Sequence, residues 1–245
     1  MNKDTLIFGI YPILEAIKSN KFIDKLFIQK GIENTKIDEI VSLSQQNSIS
    51  VNYVPIEKLD QLTRGNHQGV VAIISPIEFF NFETQIEKIL SNKKIPLLLI
   101  LDQISDVRNF GAIIRTAECT GVDAIIIQKK GGAPVSADTV KTSAGAIFKV
   151  PICKVDHIKD AIFYLKGSGI HVIGATEKAS KSVYQIDFNN PTAIVLGSEG
   201  KGITKSLFNL LDDKAALPML GEINSLNVSV ACGAFLYETV RQRSQ

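Results

Sequence analysis

Five consecutive aliphatic residues, Leu97-Leu98-Leu99-Ile100-Leu101, mark the change between two patterns in this chain. Before them, short segments alternate between apolar and polar. Pro12–Ile17 reads as a helix, 25–29 (Lys-Leu-Phe-Ile-Gln) as a strand, and Ile37–Gln46 as a second helix. Val51–Val54 and Val70–Ile74 read as two more strands. Ser75-Pro76 then breaks the pattern, because proline forces the residue before it out of helical geometry. Residues 77–95 read as a linker with one helix, Glu83–Leu90. From Pro96 onward the pattern changes: Leu97–Leu101 is a continuous apolar run, as in a strand buried on both faces. Further strands are expected over Ala124–Ile127, Phe148–Ile152, Val172–Ala175, Ala193–Leu196 and the apolar Ala216–Met219. Helices are expected over Asn109–Cys119, stopped by Gly121, and over Asp138–Ala144.

Strands alternating with helices predict an α/β fold, a mainly parallel sheet with helices on both faces. The expected organisation is a small α/β unit over 1–75, a linker over 76–95 and a larger unit over 96–245. Parallel sheets of this kind place ligands at the C-terminal ends of their strands. The polar segments that follow the strands are therefore the first places to look for chemistry.

Composition narrows the options modestly. The 45% apolar fraction supports an ordinary core, and the formal net charge is only +2. Residues 1–90 hold 9 Lys/Arg against 11 Asp/Glu, and residues 91–245 hold 18 against 14. Any nucleic-acid affinity must come from a local patch. Cys119, Cys153 and Cys232 are odd in number and widely spaced, so they read as small buried hydrophobes in a reducing compartment. The three histidines have no ligand spacing, and no metal is expected. No signal pattern and no membrane-length apolar run is visible, so the expected location is cytoplasmic, with no membrane partner.

Three segments carry the chemistry. The first is Asn109-Phe110-Gly111-Ala112-Ile113-Ile114-Arg115. Gly111 and Arg115 are four apart and share a helix face, where glycine could let a ligand approach the backbone. Arg108 would share that face, and the two arginines could clamp a phosphate. The second is Gly197-Ser198-Glu199-Gly200-Lys201-Gly202, whose glycines allow main-chain amides to turn toward a ligand. It is neither a P-loop nor a dinucleotide fingerprint. The third is Asn224-Ser225-Leu226-Asn227-Val228-Ser229. One of its polar residues could cap the following helix, but a cap needs only one.

In this order the three segments resemble the motifs of the SpoU/TrmH family of RNA 2′-O-ribose methyltransferases, within the SPOUT superfamily. Gly9–Ala16 and His67-Gln68-Gly69-Val70 resemble segments of that family's small RNA-binding domain. One departure is Asp106-Val107, where many relatives have Asp-Pro. It bears on loop geometry and touches no catalytic group. The resemblance implies methyl transfer from S-adenosylmethionine to a ribose 2′-hydroxyl, with rRNA favoured over tRNA by the extra amino-terminal unit and guanosine by closeness to the rRNA group alone. It implies a catalytic set of Arg115, Asn109, Glu199, Ser225 and Asn227. Cofactor contacts are implied at Leu196, Gly197, Gly202, Leu217, Met219 and Leu226, and RNA contacts at Arg108, His67 and Gln68. A C-terminal trefoil knot and a homodimer with its site at the subunit interface are implied as well. Two other readings stay open on sequence: a nicotinamide-dependent oxidoreductase, and an RNA-binding module without activity.

Overall fold

The computed structural model describes residues 6–19, 21–47 and 49–244. It divides into two compact units, one running to Glu78 together with Val135–Ala137, the other containing the remainder.

The first unit is a four-stranded mixed sheet. Its strands are β1 (Leu6–Phe8), β2 (Ile23–Gln29), β3 (Val51–Val54) and β4 (Val70–Ile74), in the order β1-β4-β2-β3. Only the β2–β3 pair is parallel. Helices α1 (Ile10–Lys18) and α2 (Thr35–Gln46) bury Ile13, Leu14, Ile17, Ile37 and Ile40 against Leu26, Ile28, Val70 and Ala72. Their apolar residues recur at three- and four-residue intervals, which puts them on one helix face. Asn34 starts α2 by accepting the Lys36 N–H at 2.9 Å. A third helix, α3 (Ile56–Leu62), packs on β2 and β4.

The second unit is built on seven strands, all paired in parallel. They are β5 (Leu97–Leu101), β6 (Ala124–Gln128), β7 (Ile152–Val155), β8 (His171–Ala175), β9 (Lys181–Ser182), β10 (Thr192–Leu196) and β11 (Asp213–Ala216), ordered β7-β6-β5-β10-β8-β11-β9. Strand β10, late in sequence, is inserted between β5 and β8 in full register with both.

Alternate residues of these strands serve different faces. Leu98, Ile100, Ala124, Ile126, Ala193 and Val195 form one core with Phe82, Ile86 and Ile89 of α4 (Phe82–Asn92). Ile158, Ala161, Ile162 and Leu165 of α7 (Ile158–Gly167) and Leu207 of α8 (Lys205–Phe208) join it. The residues between them, such as Leu99, Ile125 and Ile194, are equally buried. Helices α5 (Val107–Cys119) and α9 (Val228–Arg243) pack on each other, and α9 also meets β8. Double-sided burial is what the continuous apolar run Leu97–Leu101 predicted.

Two sequence expectations need correction. Phe148–Ile152 is not a strand: Ala146–Phe148 forms a 3₁₀ turn with Phe148 exposed, and β7 starts only at Ile152. Pro151 lacks the N–H a ladder needs. The strand expected over Ala216–Met219 is β11, which lies earlier and ends at Ala216. Pro218 stops it for the same reason.

Candidate active site

The C-terminal ends of β8, β10 and β11 open into one cavity of about 380 Å³. Its lining includes Leu196, Gly197, Gly202, Leu217, Met219 and Leu226, all six residues singled out above for a cofactor. Thr176 and Glu177 after β8, and Phe235 from α9, complete its walls. The lining contains two carboxylates, Glu177 and Glu199, and no lysine or arginine.

The glycine loop after β10 has its shape for a steric reason. A Cβ at Gly197 would lie 2.0 Å from the carbonyl carbon of Gly202 and 2.1 Å from the Ile203 nitrogen, so only glycine fits. Gly200 and Gly202 adopt left-handed φ angles of 79° and 68°, and the Gly202 N–H returns to the Ser198 carbonyl at 2.8 Å. The loop thus folds back on itself and projects Glu199 from its tip.

Glu199 is held from two sides. Asn109 Nδ2 donates to Glu199 Oε1 at 2.9 Å, and Asn227 Nδ2 donates to the same oxygen at 2.8 Å. Asn227 Nδ2 also reaches Asn109 Oδ1 at 2.9 Å. One residue from each of the three sequence segments therefore meets in a closed polar triangle. Each corner stands at the start of a helix or the tip of the loop. Asp106 caps α5 by accepting the N–H groups of Arg108 and Asn109 at 2.8 and 2.9 Å. Val107 takes the first helical position, where proline is favoured, so the cap preserves the helix start without it. Asn227 caps α9, its Oδ1 accepting from the Ser229 N–H at 2.9 Å and the Ser229 hydroxyl at 2.6 Å. Asn227 is therefore both cap and bridge, while Ser225 lines the cavity.

The arginines stand apart from this triangle. Arg115 and Arg108 are exposed, neither lines the cavity, and neither side chain has a hydrogen-bond partner among the described residues. The reading of Gly111 as an approach for ligand is corrected. A Cβ there would lie 2.0 Å from Thr142 Oγ1 and 2.5 Å from Thr142 Cβ, so its space is filled by α6 (Ala137–Thr142). Glycine serves helix packing at that position.

In the first unit His67 and Gln68 line a shallow groove of about 510 Å³ with Gln29, Asn34 and Asn66. His67 is buried, and both ring nitrogens are engaged. Nδ1 accepts the Gly69 N–H at 3.0 Å, and Nε2 faces Asp60 Oδ1 at 3.0 Å. Gln68, at a left-handed φ of 51°, accepts the Ile10 N–H through Oε1 at 3.0 Å and is otherwise exposed.

Sequence reasoning passed over Thr176 and Glu177, which have no motif around them. It also passed over Asp102, although an acid closing an all-aliphatic strand is itself a signal.

Two family descriptions match the chain. Residues 96–237 match the SpoU rRNA Methylase family, and residues 6–80 match the RNA 2′-O ribose methyltransferase substrate-binding family. The chain belongs to the SpoU rRNA methylase family. A relative in Staphylococcus saprophyticus, which carries the name of a TrmH family tRNA/rRNA methyltransferase, is 36% identical over 242 residues. That match covers 99% of this chain and 97% of the relative. A Staphylococcus aureus protein of the same name is also 36% identical, covering 98% and 97%.

Among solved structures, the fold resembles an AdoMet-bound rRNA methyltransferase from Sinorhizobium meliloti. The TM-score is 0.62 at 24% identity, over 97% of this chain and 87% of that one. The SpoU methyltransferase AviRb from Streptomyces viridochromogenes, in complex with AdoMet, gives 0.61 at 23%, over 98% and 90%. Among the described residues no helix is long and apolar enough to cross a membrane.

Proposed function

We propose that this SpoU-family chain transfers a methyl group from S-adenosylmethionine to the ribose 2′-hydroxyl of a guanosine in large-subunit rRNA. The observation that carries the reading is the Asn109–Glu199–Asn227 triangle at the edge of a cavity whose charge suits this donor. S-adenosylmethionine carries a cationic sulfonium, an ammonium and one carboxylate, so it is cationic on balance. A lining with two carboxylates and no basic side chain favours such a ligand and disfavours the pyrophosphate of a nicotinamide dinucleotide. The apolar side chains of Leu196, Leu217, Met219, Leu226 and Phe235 offer packing surface, and the glycine loop offers bare main chain.

When bound, S-adenosylmethionine supplies the electrophilic methyl carbon. The protein's part is alignment and charge management. Asn109, Glu199 and Asn227 fix the two helix starts and the loop against one another, so the groups they carry keep a constant spacing. Ser225 adds a hydroxyl to the cavity wall. Arg115 holds the RNA phosphate beside the target ribose and stabilises negative charge developing on O2′. Its guanidinium remains protonated, so it acts as a donor, and the 2′-hydroxyl proton passes to solvent. Arg108 adds a second phosphate contact, and exposed Gln68 meets the RNA in the small unit's groove, whose shape buried His67 holds through Gly69 and Asp60. No metal enters the scheme.

A homodimer, with its site completed at the subunit interface, accompanies this reading. Its support is the outer face of α9, where Val230 and Tyr237 are exposed at 55% and 57% on a helix with little segregation of polar from apolar sides. A trefoil-knotted C-terminal half and a cytoplasmic location belong to the same proposal. A tRNA substrate is the second reading, favoured by the tRNA/rRNA name of the staphylococcal relatives. The presence of a separate substrate-binding unit favours rRNA.

The test is incorporation of labelled methyl from S-adenosylmethionine into rRNA and tRNA transcripts, paired with mapping of 2′-O-methyl positions in rRNA from a deletion strain. One rRNA guanosine losing its methyl group supports the reading. Labelling of tRNA alone overturns the rRNA assignment.

A further inference from the structure

One buried acid beside the site has no part in the chemistry above. Asp102 directly follows β5 and is 2% exposed. Its backbone N–H donates to the Leu196 carbonyl at 2.8 Å, extending the β5–β10 ladder. Its carboxylate Oδ2 accepts the Thr204 N–H at 2.7 Å, 102 residues away. Leu196 and Thr204 lie on either side of the glycine loop, so one residue grips both stems. The next residue, Gln103, adopts a left-handed φ of 57°, uncommon for a residue with a side chain, and its Nε2 lies 3.4 Å from Thr204 Oγ1.

This grip matters because the loop itself is soft. Three of its six residues are glycine, two with left-handed φ, and internally it is tied by the short antiparallel bridge between Ser198 and Gly202. Fixed stems are what allow such a loop to present Glu199 to two amides at hydrogen-bond distance. A buried carboxylate is also costly unless it accepts hydrogen bonds, so the Thr204 N–H and Asp102 hold each other in place.

We propose that Asp102 is a positioning residue that sets the glycine loop, and through it Glu199 and the cofactor cavity, by clamping both loop stems. The proposal rests on the cofactor reading above. Two variants test it. Asp102→Ala removes the acceptor. Thr204→Pro removes the donor and leaves the acid in place, and the Thr204 φ of −54° suits proline. S-adenosylhomocysteine affinity by titration calorimetry and single-turnover methylation are measured well below each variant's unfolding temperature.

Both variants are expected to bind S-adenosylhomocysteine about tenfold or more weaker, the scale of one lost hydrogen bond to a charged group. Both should also be slower at saturating cofactor and RNA. Asp102→Asn, which keeps an acceptor, is expected to lose less than alanine does. If Asp102→Ala does not fold, Thr204→Pro alone decides the matter. A folded variant with lowered melting temperature but wild-type cofactor affinity and turnover overturns the positioning role, leaving Asp102 a purely structural acid. Failure of the wild-type protein to bind S-adenosylhomocysteine overturns the cofactor reading itself and the proposal with it.

Discussion

Asn227 donates its side-chain amide to Asn109 Oδ1 at 2.9 Å, joining two helix starts 118 residues apart. The same amide nitrogen reaches Glu199 at 2.8 Å, so Asn227 touches both other corners of the polar triangle. It also caps α9. Asn227→Asp keeps the cap, because the carboxylate still accepts the Ser229 N–H, but it loses both donated bonds and sets a charge against Glu199. Asn227→Asp is therefore expected to stay folded and lose at least tenfold in single-turnover rate. Asn227→Ala should lose the rate and also about 1 kcal/mol of stability for the missing cap. Denaturant unfolding beside single-turnover kinetics separates the two; equal stability loss in both variants would contradict the assignment of the cap.

Arg115 gives a cleaner readout because it is exposed and no hydrogen bond or ion pair holds its side chain among the described residues. Replacing it should change stability by no more than about 0.5 kcal/mol, as for an ordinary surface position. Arg115→Ala and Arg115→Lys are both expected to lower single-turnover methylation by at least about a hundredfold, a loss of transition-state stabilisation. Lysine should not rescue, since it lacks the planar fork. Near-normal turnover of the alanine variant at saturating RNA would remove Arg115 from the chemistry.

Gly111 should behave as a packing residue. Gly111→Ala places a methyl group 2.0 Å from Thr142 Oγ1, and one of the two helices must move. The expected cost is about 1–3 kcal/mol, in the range of overpacked cores. Thr142→Gly in the same chain should recover part of that loss, and a double-mutant cycle in urea measures it. Additive losses would show that Thr142 is not what fills the space.

Glu238 predicts a pH dependence. Its side chain is only 6% exposed and accepts from Arg241 Nε and Nη2 at 2.8 and 2.9 Å and from Gln242 Nε2 at 2.8 Å. The hydrogen bonds from Arg241 hold its carboxyl below the usual range, against the opposing effect of burial. A depressed native pKa stabilises the fold above the unfolded value, near 4.3, and the benefit is lost as pH falls through the native value. Glu238→Gln should therefore melt lower than wild type at pH 7, and the gap should close below about pH 4. A gap that stays constant from pH 7 to pH 3 would mean the charge is not what matters.

How much of this was legible beforehand follows from the distance over which each feature is determined. The run Leu97–Leu101 announced a strand buried on both faces, and β5 has the predicted bounds. Asn109–Cys119 announced a helix, and α5 adds only the first turn that Asp106 caps. Helix α7 had the signal too, with Ile158, Ala161, Ile162 and Leu165 at helical spacing, but the reading passed over it.

Ala216–Met219 misled because apolar residues continue past the strand, while Pro218 ends its pairing. The polar triangle was legible only as three suspicious segments. No local rule says that Asn109 will meet a glutamate 90 residues on. Gly111 was misjudged for the same reason, since the helix that fills its space lies about 30 residues downstream.

The place of β10 has a consequence for how the molecule comes to exist. Synthesis from the amino terminus releases β5, β6 and β7 long before residue 192 emerges, and β5 then carries an unpaired edge of five aliphatic residues. The β8 side of the sheet waits equally for the same partner. Closure requires one late strand to pair with β5 on one side and β8 on the other, pairings of high sequence separation that form slowly and leave a sticky edge exposed meanwhile. Nascent chains stalled between residues 130 and 190 are accordingly the forms of this protein most dependent on chaperones.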